Sequence, residues 1–427
     1  MTGVALALLL LLLALSIPVG IALGLLGLIL NQLYSPLPLT VVLGELSWSS
    51  ATSFILVAVP LYILLGEIVL RTGIAERMYN ALMQWVSWLP GGLMHSNVAA
   101  SAMFSAISGS SVATAVTIGT VALNEVDKHR YNERLFLGTL AAGGTLGILI
   151  PPSINLIVYG VMTETSIPQL YLAGFVPGIV LALLFSLTVL LACWWRKSWG
   201  GDPVQTSWSA RIRSLPDLLP PLFIFVIVIG SIYAGLATPT ESAALGVLAA
   251  LALAAWRGRL GWRMLLEALE GTVRITSAIM LIILGAYFLN VVITTIGLTA
   301  AITGLVTALD PTPGQLLASI ILFYLVLGCF METLSMMVAT VPITTPLIVN
   351  AGYDPIWYGV LVVILMETAM ITPPVGINLF VVQGVRRRGQ IHDVILGAIP
   401  FVVTLLAMVA LICVYPQLVL WLPGVMR

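Results

Sequence analysis

Long apolar runs, separated by short polar segments, follow one another along almost the whole chain. A helix that crosses a bilayer needs about 20 predominantly apolar residues. Most of the runs are of this order of length, and together they predict an all-α polytopic membrane protein. They lie near residues 2–16, 19–34, 51–70, 134–160 and 170–195 in the first half, and near 216–235, 240–257, 273–295, 355–385 and 394–420 in the second.

The composition excludes several classes of protein. Of the 427 residues, 60% are hydrophobic and only 8% are charged, whereas soluble domains carry roughly 25% charged residues. A soluble enzyme of this length could not cover its surface with so few charges, and disordered chains are rich in charge and poor in apolar residues. Lys+Arg and Asp+Glu both number 17, and this balance argues against a nucleic-acid partner.

The chain contains two copies of one unit. The pairs Pro151-Pro152 and Pro373-Pro374 lie 222 positions apart in similar surroundings. Several shorter matches occur in the same order at nearly the same offset, among them Leu89-Pro90-Gly91 with Thr312-Pro313-Gly314. Repeats of this kind define the architecture before any single motif does. We therefore predict a first repeat, a basic linker and a second repeat, at residues 1–199, 200–215 and 216–427.

Each repeat has one further apolar stretch that small or polar residues interrupt near its middle. Residues 95–123 contain Ser108–Ser111 at this point, and residues 314–348 contain Gly328 with Glu332 and Thr333. Such a stretch can form a re-entrant helical hairpin, since non-helical backbone is tolerated in the membrane against protein or a water-filled cavity. With one hairpin and five spans in each repeat, we predict that the second repeat is inverted relative to the first.

Basic residues test this topology. Every Lys and Arg except Arg427 falls on one predicted side of the membrane, in segments 71–134, 196–215, 257–274 and 386–388. The positive-inside rule makes this side cytoplasmic and places both termini on the opposite side. Two amphipathic stretches, 74–88 and 259–272, are predicted to lie at the membrane interface.

The proline pairs predict cation sites, because they lie deep within the apolar runs 134–160 and 355–385. Two successive prolines break a helix and free the carbonyls of the preceding turn. In lipid those carbonyls need partners, and a bound cation is one solution. Residues 222 positions apart correspond between the two repeats, and by this offset the tip of one hairpin corresponds to the tip of the other. Each repeat therefore brings a hairpin tip and a broken helix to equivalent places in the fold. We predict two related cation sites, built mainly of backbone carbonyls with Ser or Thr hydroxyls.

The half-helices after the breaks predict a site for a carboxylate. Their first N–H groups are free and carry partial positive charge, so no Arg or Lys is required. Asn155 and Asn378 follow the breaks, and each offers a donor and an acceptor. Glu241, Glu332 and Glu367 are ionisable residues in or near the membrane, where such residues are usually functional. Each could instead cap a broken helix, just as Ser and Gly could serve only close packing.

At these residues the sequence resembles the large membrane subunit of tripartite ATP-independent periplasmic (TRAP) transporters. The resemblance covers essentially the whole chain. It implies an elevator-type ion-transporter fold in the bacterial or archaeal inner membrane, with both termini periplasmic. It also implies sodium-coupled import of small carboxylates such as C4-dicarboxylates or sialic acids, with a separate small four-helix membrane subunit and a periplasmic substrate-binding protein. The motifs are Gly144–Ser153, Ser108–Thr114, Thr238–Glu241 and Ile371–Phe380.

The resemblance and the breaks together specify candidate site residues. About two sodium ions are implied, one at each hairpin tip. The predicted sodium-site residues are Ser108, Gly109, Ser110, Thr145, Gly147, Ile150, Gly328, Phe330, Glu332, Thr333, Thr368 and Met370. The predicted substrate-site residues are Ser110, Ser111, Ser153, Asn155, Glu241, Pro374, Gly376 and Asn378.

Three other functions are alternatives. A stand-alone anion or sodium–proton transporter of the related inverted-repeat class would need no binding protein. An intramembrane hydrolase would need a base near its nucleophile, but the three histidines lie at segment ends and no HExxH helix is present. A purely structural subunit would have little need of broken helices at the midplane. Inverted repeats with such breaks are typical of secondary transporters.

Overall fold

The computed structural model describes residues 2–15, 17–126, 128–202 and 206–426. Arg427, the one basic residue predicted on the external side, lies outside these ranges. The first repeat contains ten α-helices within the described residues. They are α1 (Thr2–Ala14), α2 (Val19–Tyr34), α3 (Val42–Ala51), α4 (Ala58–Arg71), α5 (Ile74–Val86), α6 (Leu93–Ser108), α7 (Ser111–Val126), α8 (Glu133–Thr145), α9 (Ile154–Thr163) and α10 (Ile167–Trp195).

A short helix in the basic linker precedes ten further helices in the described part of the second repeat. The linker helix is α11 (Trp208–Ser214). The others are α12 (Leu219–Tyr233), α13 (Pro239–Trp256), α14 (Trp262–Thr295), α15 (Leu298–Ala308), α16 (Pro313–Gly328), α17 (Thr333–Asn350), α18 (Pro355–Met370), α19 (Ile377–Arg386), α20 (Ile391–Val414) and α21 (Gln417–Val425).

Several helices are long and apolar enough to cross a bilayer. By length and composition, five helices of the described residues pass on their own, namely α10, α13, α14, α17 and α20. Two bent pairs, α4 with α5 and the linker helix with α12, raise the number to seven if each pair is one span. The bend of 69° between α4 and α5 occurs at Gly73, whose φ of +71° suits glycine best.

Local sequence sets where helices begin. Thr238 and Glu241 form a reciprocal capping box at the start of α13, and Thr312 and Gln315 do the same at α16. In both helices a proline occupies the first turn, where its missing N–H costs nothing.

One prediction about the second repeat is wrong. Residues 259–272 do not form a separate interfacial segment, because α14 runs without a break from Trp262 to Thr295. This helix has no proline, and its 34 residues span about 51 Å, well beyond a hydrocarbon core of about 30 Å. The Arg71 side chain donates to the carbonyl of Glu267 at 3.0 Å and ties the start of α14 to α4.

Helices of the first repeat pack against helices of the second repeat. Helix α2 packs along α14, and α4 packs along α13. Helix α7 packs against α19, and α17 packs against α9. If α2, α4, α7 and α9 correspond to α13, α14, α17 and α19, each contact has its counterpart under the exchange of repeats. The inversion of the second repeat across the membrane stays a prediction.

The core lies around the two helices that precede the proline pairs. Every residue from Leu135 to Thr145 in α8 and from Trp357 to Met370 in α18 is buried. Each of these helices packs against the first arm of the hairpin in its own repeat, α8 on α6 and α18 on α16. The fold therefore buries the two helices that lead to the breaks and packs each of them against a hairpin.

Candidate ion and substrate site at the broken helices

The first break is fully enclosed. Helix α8 ends at Thr145, a 3-10 turn follows over Leu146–Ile148, and α9 begins at Ile154. The Ser153 hydroxyl caps α9 by accepting from the backbone N–H of Leu156 at 3.2 Å, and it donates to the carbonyl of Ile148. Residues 146–153 are all buried, so the backbone of the break faces protein rather than lipid.

The first hairpin tip lies directly against this break. It turns at Gly109, whose φ is +59°, between α6 and α7. A Cβ at Gly109 would lie 2.6 Å from the carbonyl oxygen of Pro152, and one at Gly147 would lie 2.5 Å from the carbonyl oxygen of Ser110. The absence of side chains at both glycines therefore permits the close approach of two backbones. This approach brings the tip carbonyls beside those of the break.

Hydroxyl groups surround the first tip. Thr114 Oγ1 donates to the carbonyl of Ser110 at 2.8 Å and lies 3.1 Å from Ser108 Oγ. Thr145 Oγ1 donates to the carbonyl of Ala142 within its own helix. The Ile150 side chain is turned away, since its Cγ1 would lie 2.7 Å from a Cβ at Gly178 of α10. The sequence analysis missed Thr114, although its place one turn after Ser110 could have indicated it.

The second tip contacts the second break in a similar way. The backbone N–H of Val375 donates to the carbonyl of Cys329 at 3.3 Å. A Cβ at Gly328 would lie 2.4 Å from Cβ of Ala369, so this pair too requires a glycine. Gly376 begins α19 with a φ of +46°. A small gap remains between tip and break, lined by Gly328, Met331, Thr333, Ala369, Met370, Val375, Gly376 and Ile377.

Glu332 has a structural role at the second tip. Its carboxylate caps α17 by accepting from the backbone N–H of Ser335 at 3.0 Å. It also accepts from the hydroxyls of Ser335 and Thr333, at 3.1 and 3.0 Å. The hydroxyl of Thr368 donates to the carbonyl of Ile364 at 2.9 Å. The cap observed at Glu332 is the alternative that the sequence left open beside a role in ion binding.

The two breaks meet each other through side chains. Asn378 Nδ2 donates to the carbonyl of Ala141 in α8 at 3.1 Å. Asn155 makes the reciprocal contact, since its Nδ2 lies 3.9 Å from the sulfur of Met366 in α18. Ser111 Oγ, at the start of α7, lies 3.1 Å from the sulfur of Met370. Each asparagine therefore contacts the helix that precedes the break of the other repeat.

Two predicted residues are not brought into this cluster. Glu241 is exposed, and among the described residues its carboxylate bonds Thr238 alone, in the capping box of a helix that packs against α4 and α12. The Phe330 side chain is 62% exposed, so only its backbone could contribute. The second break is also more open than the first, since Pro373 and Pro374 are exposed whereas Pro151 and Pro152 are buried.

Some polar atoms near the breaks have no partner among the described residues. Both carboxyl oxygens of Glu367 are buried without a hydrogen bond, and so is Oδ1 of Asn378. No group of three or more His, Cys, Asp or Glu side chains suitable for a metal occurs in the described ranges. The oxygens at the first tip are backbone carbonyls and hydroxyls, and the second tip adds the carboxylate of Glu332. Hard monovalent or divalent cations accept such ligands.

Comparisons with known proteins identify the family. The family model described as "Tripartite ATP-independent periplasmic transporter, DctM component" matches residues 6–418. The chain is 31% identical over 427 residues to the C4-dicarboxylate TRAP transporter large permease protein DctM of Vibrio cholerae, covering 95% of this chain and 94% of that protein. It is 33% identical over 374 residues to the sialic acid TRAP transporter large permease protein SiaM of the same organism, covering 87% and 86%.

A third relative and a solved structure agree with this result. The large permease protein DctM of Pseudomonas aeruginosa is 34% identical over 410 residues, with 94% of each chain covered. The YdaH transporter of Alcanivorax borkumensis, whose crystal structure is described as having an unusual topology, has a TM-score of 0.61 over 98% of both chains. Its sequence identity is 17%, so it shows the fold alone. The chain belongs to the DctM family, the large membrane permeases of TRAP transporters.

Proposed function

We propose that this permease imports a small carboxylate together with sodium, which it binds at the two hairpin tips. The observation that carries the proposal is the contact of each tip with the break of its own repeat, at Gly147 against Ser110 and at Val375 against Cys329. These contacts bring oxygen ligands together without a basic side chain, in the protein interior at the first tip and at a more open place at the second. A dehydrated sodium ion requires ligands of this kind.

The substrate would lie between the two breaks. The half-helices α9 and α19 begin there, and their first N–H groups favour a carboxylate. Asn378 supports this placement, because its Oδ1 is buried without a partner while its Nδ2 holds α8. The curated relatives are named for C4-dicarboxylates and for sialic acid, and both kinds of compound carry carboxylates. We expect the substrate of this chain to carry one too.

The packing supports an elevator motion. Helices α2, α4, α13 and α14 pack on one another, whereas the hairpins and broken helices pack among themselves and on α10 and α20. The first set is suited to a scaffold and the second to a body that carries substrate and ions. In this proposal the chain lies in the inner membrane with both termini periplasmic, and it works with a small four-helix membrane subunit and a periplasmic binding protein.

The proposal is tested first by thermal unfolding of the purified protein. NaCl is titrated against KCl and choline chloride at constant ionic strength, alone and with the small subunit. A ligand that binds only the folded state stabilises it by RT ln(1 + [L]/Kd), about 1.4 kcal/mol at roughly ten times Kd. We expect a saturable rise of Tm specific to sodium. Equal curves in all salts, with the small subunit present, would contradict sodium binding.

Uptake into proteoliposomes then separates the two transport hypotheses. With a sodium gradient, we expect carboxylate uptake only when a cognate binding protein is added outside. Uptake that proceeds equally well without any binding protein would favour the stand-alone transporter.

A further inference from the structure

A cavity of about 340 Å³ lies at the end of α10, apart from the broken helices. Its volume is within the range of small-molecule sites, about 300–1,000 Å³. It opens on the side of the protein where the Lys and Arg residues concentrate. It is lined by Ser87, Trp88, Leu89, Pro90, Gly91, Gly92, Tyr131, Cys193, Trp194, Lys197, Gly200, Gly201 and Thr206.

The polar lining of the cavity suits an anion. Lys197 is exposed and makes no ion pair in the part of the chain that the structure describes. The Arg211 guanidinium lies beside the cavity wall, where it donates to Oγ1 of the lining residue Thr206 at 3.1 Å and to the carbonyl of Gln84 at 3.0 Å. Asp202 directly follows the lining residue Gly201. Lys197 is the charged residue among the described lining residues, and its charge is positive.

One residue of the cavity wall also carries a buried hydroxyl group that has no partner among the described residues. Ser87 is only 3% exposed, and its Oγ has no hydrogen-bond partner among the described residues. A buried polar atom without a partner costs free energy. A ligand that bonds this hydroxyl would remove the cost.

The surroundings of the cavity are apolar and face the bilayer. Trp88 and Trp194 are 68% and 73% exposed, and tryptophan is enriched where a membrane meets water. Three residues before Trp194, at Leu191, a row of exposed side chains begins and follows one face of α10 at every fourth residue. The row spans about 18 Å along the helix, close to the thickness of one leaflet of the hydrocarbon core, roughly 15 Å. It consists of Leu191, Leu187, Leu183 and Ile179.

We propose that this cavity binds the headgroup of an anionic phospholipid of the leaflet on the basic side. The phosphate would lie between Lys197 and Arg211, the headgroup hydroxyls would bond Ser87, and an acyl chain would follow the row on α10. A soluble anion would use the two cations but leave the apolar row without a function. The site is separate from the hairpin tips, so it does not depend on the proposed sodium coupling.

The test uses the transporter with its small subunit, stripped of lipid in detergent. Phosphatidylglycerol, phosphatidylcholine and soluble glycerol phosphate are each titrated while Tm is measured, and native mass spectrometry counts the lipids retained. We expect phosphatidylglycerol alone to raise Tm in a saturable way. Lys197→Ala should weaken that binding roughly fivefold, because a basic residue near a membrane surface contributes about 1 kcal/mol to lipid binding. Ser87→Ala should weaken it as well.

Arg213→Ala is the control, since Arg213 shares helix α11 with Arg211 but has no bond to a residue of the cavity wall in the part of the chain that the structure describes. We expect its lipid affinity to equal that of the unaltered protein. Equal stabilisation by phosphatidylcholine would overturn the proposal, and so would equal stabilisation by glycerol phosphate. An equal loss in Arg213→Ala would show only diffuse surface attraction. Loss of the small subunit rather than lipid in Lys197→Ala would assign the cavity to a protein contact.

Discussion

The side-chain amide of Asn378 donates a hydrogen bond of 3.1 Å to the carbonyl of Ala141, and this bond joins the second broken helix to the first. Asn155 makes the reciprocal approach toward Met366. These contacts cross between the two halves of the chain, since each joins one broken helix to the helix that precedes the other break.

Asn378→Ala should raise the substrate concentration for half-maximal uptake by roughly tenfold. The change removes a buried hydrogen bond to Ala141 and the free Oδ1 that we assign to the substrate, and each such interaction contributes about 1–2 kcal/mol. Uptake in proteoliposomes measures the effect. Asn124→Ala is the control, since Asn124 is exposed on α7. Similar curves for the two variants would remove Asn378 from the substrate site.

Gly147→Ala should abolish sodium-specific stabilisation. Its Cβ would lie 2.5 Å from the carbonyl oxygen of Ser110, and backbone cannot move aside as a flexible side chain can, so we expect a cost of about 1–3 kcal/mol. The control is Gly44→Ala, because a Cβ there meets nothing within 4 Å. The two variants are compared by measuring Tm while sodium is titrated. A normal sodium response in Gly147→Ala would show that the close approach of tip and break is not needed for binding.

Ser110→Ala and Thr368→Ala should each increase the sodium concentration required for half-maximal uptake, by roughly tenfold for a lost ligand of about 1.5 kcal/mol. Thr120→Ala provides the matched control. Thr120 makes the same type of bond to the carbonyl four residues earlier as Thr368 does, but it lies on an exposed face. Unchanged sodium dependence in both test variants would defeat the assignment of the sodium sites.

Arg386→Ala should lower the free energy of unfolding by about 2 kcal/mol without changing sodium affinity. The Arg386 side chain is 5% exposed and pairs with Glu133 at 2.9 Å and with Asp393 at 3.4 Å, so its removal leaves two partly buried carboxylates without this partner. The two pairs tie α19 to α8 and α20.

Arg263→Ala is the control for that variant. Arg263 pairs with Glu267, but its side chain is 94% exposed, and such surface pairs contribute little, at most about 1 kcal/mol. Thermal unfolding of both variants decides the point, and an equal loss of stability would refute a special role for the Arg386 network.

The local features of this fold were predictable because their signals are local. Each of these signals lies within one short segment. The apolar runs predicted helices, the proline pairs predicted the breaks, and Gly109-Ser110 predicted the turn at the first tip. Glu241 shows where this reasoning fails. Its motif suggested a site, but the Thr238 hydroxyl and backbone lie within reach in the same turn and bind the carboxylate there.

The sequence by itself determined the membrane class, the positions of the breaks and hairpins, and the resemblance to TRAP permeases, because periodicity, proline geometry and motifs need no distant partner. Only the tertiary structure decided that Gly147 meets Ser110, that Cys329 bonds Val375, and that Asn378 reaches Ala141 in the other repeat. These contacts join residues far apart in the chain. They depend on how whole helices pack, which no single segment encodes.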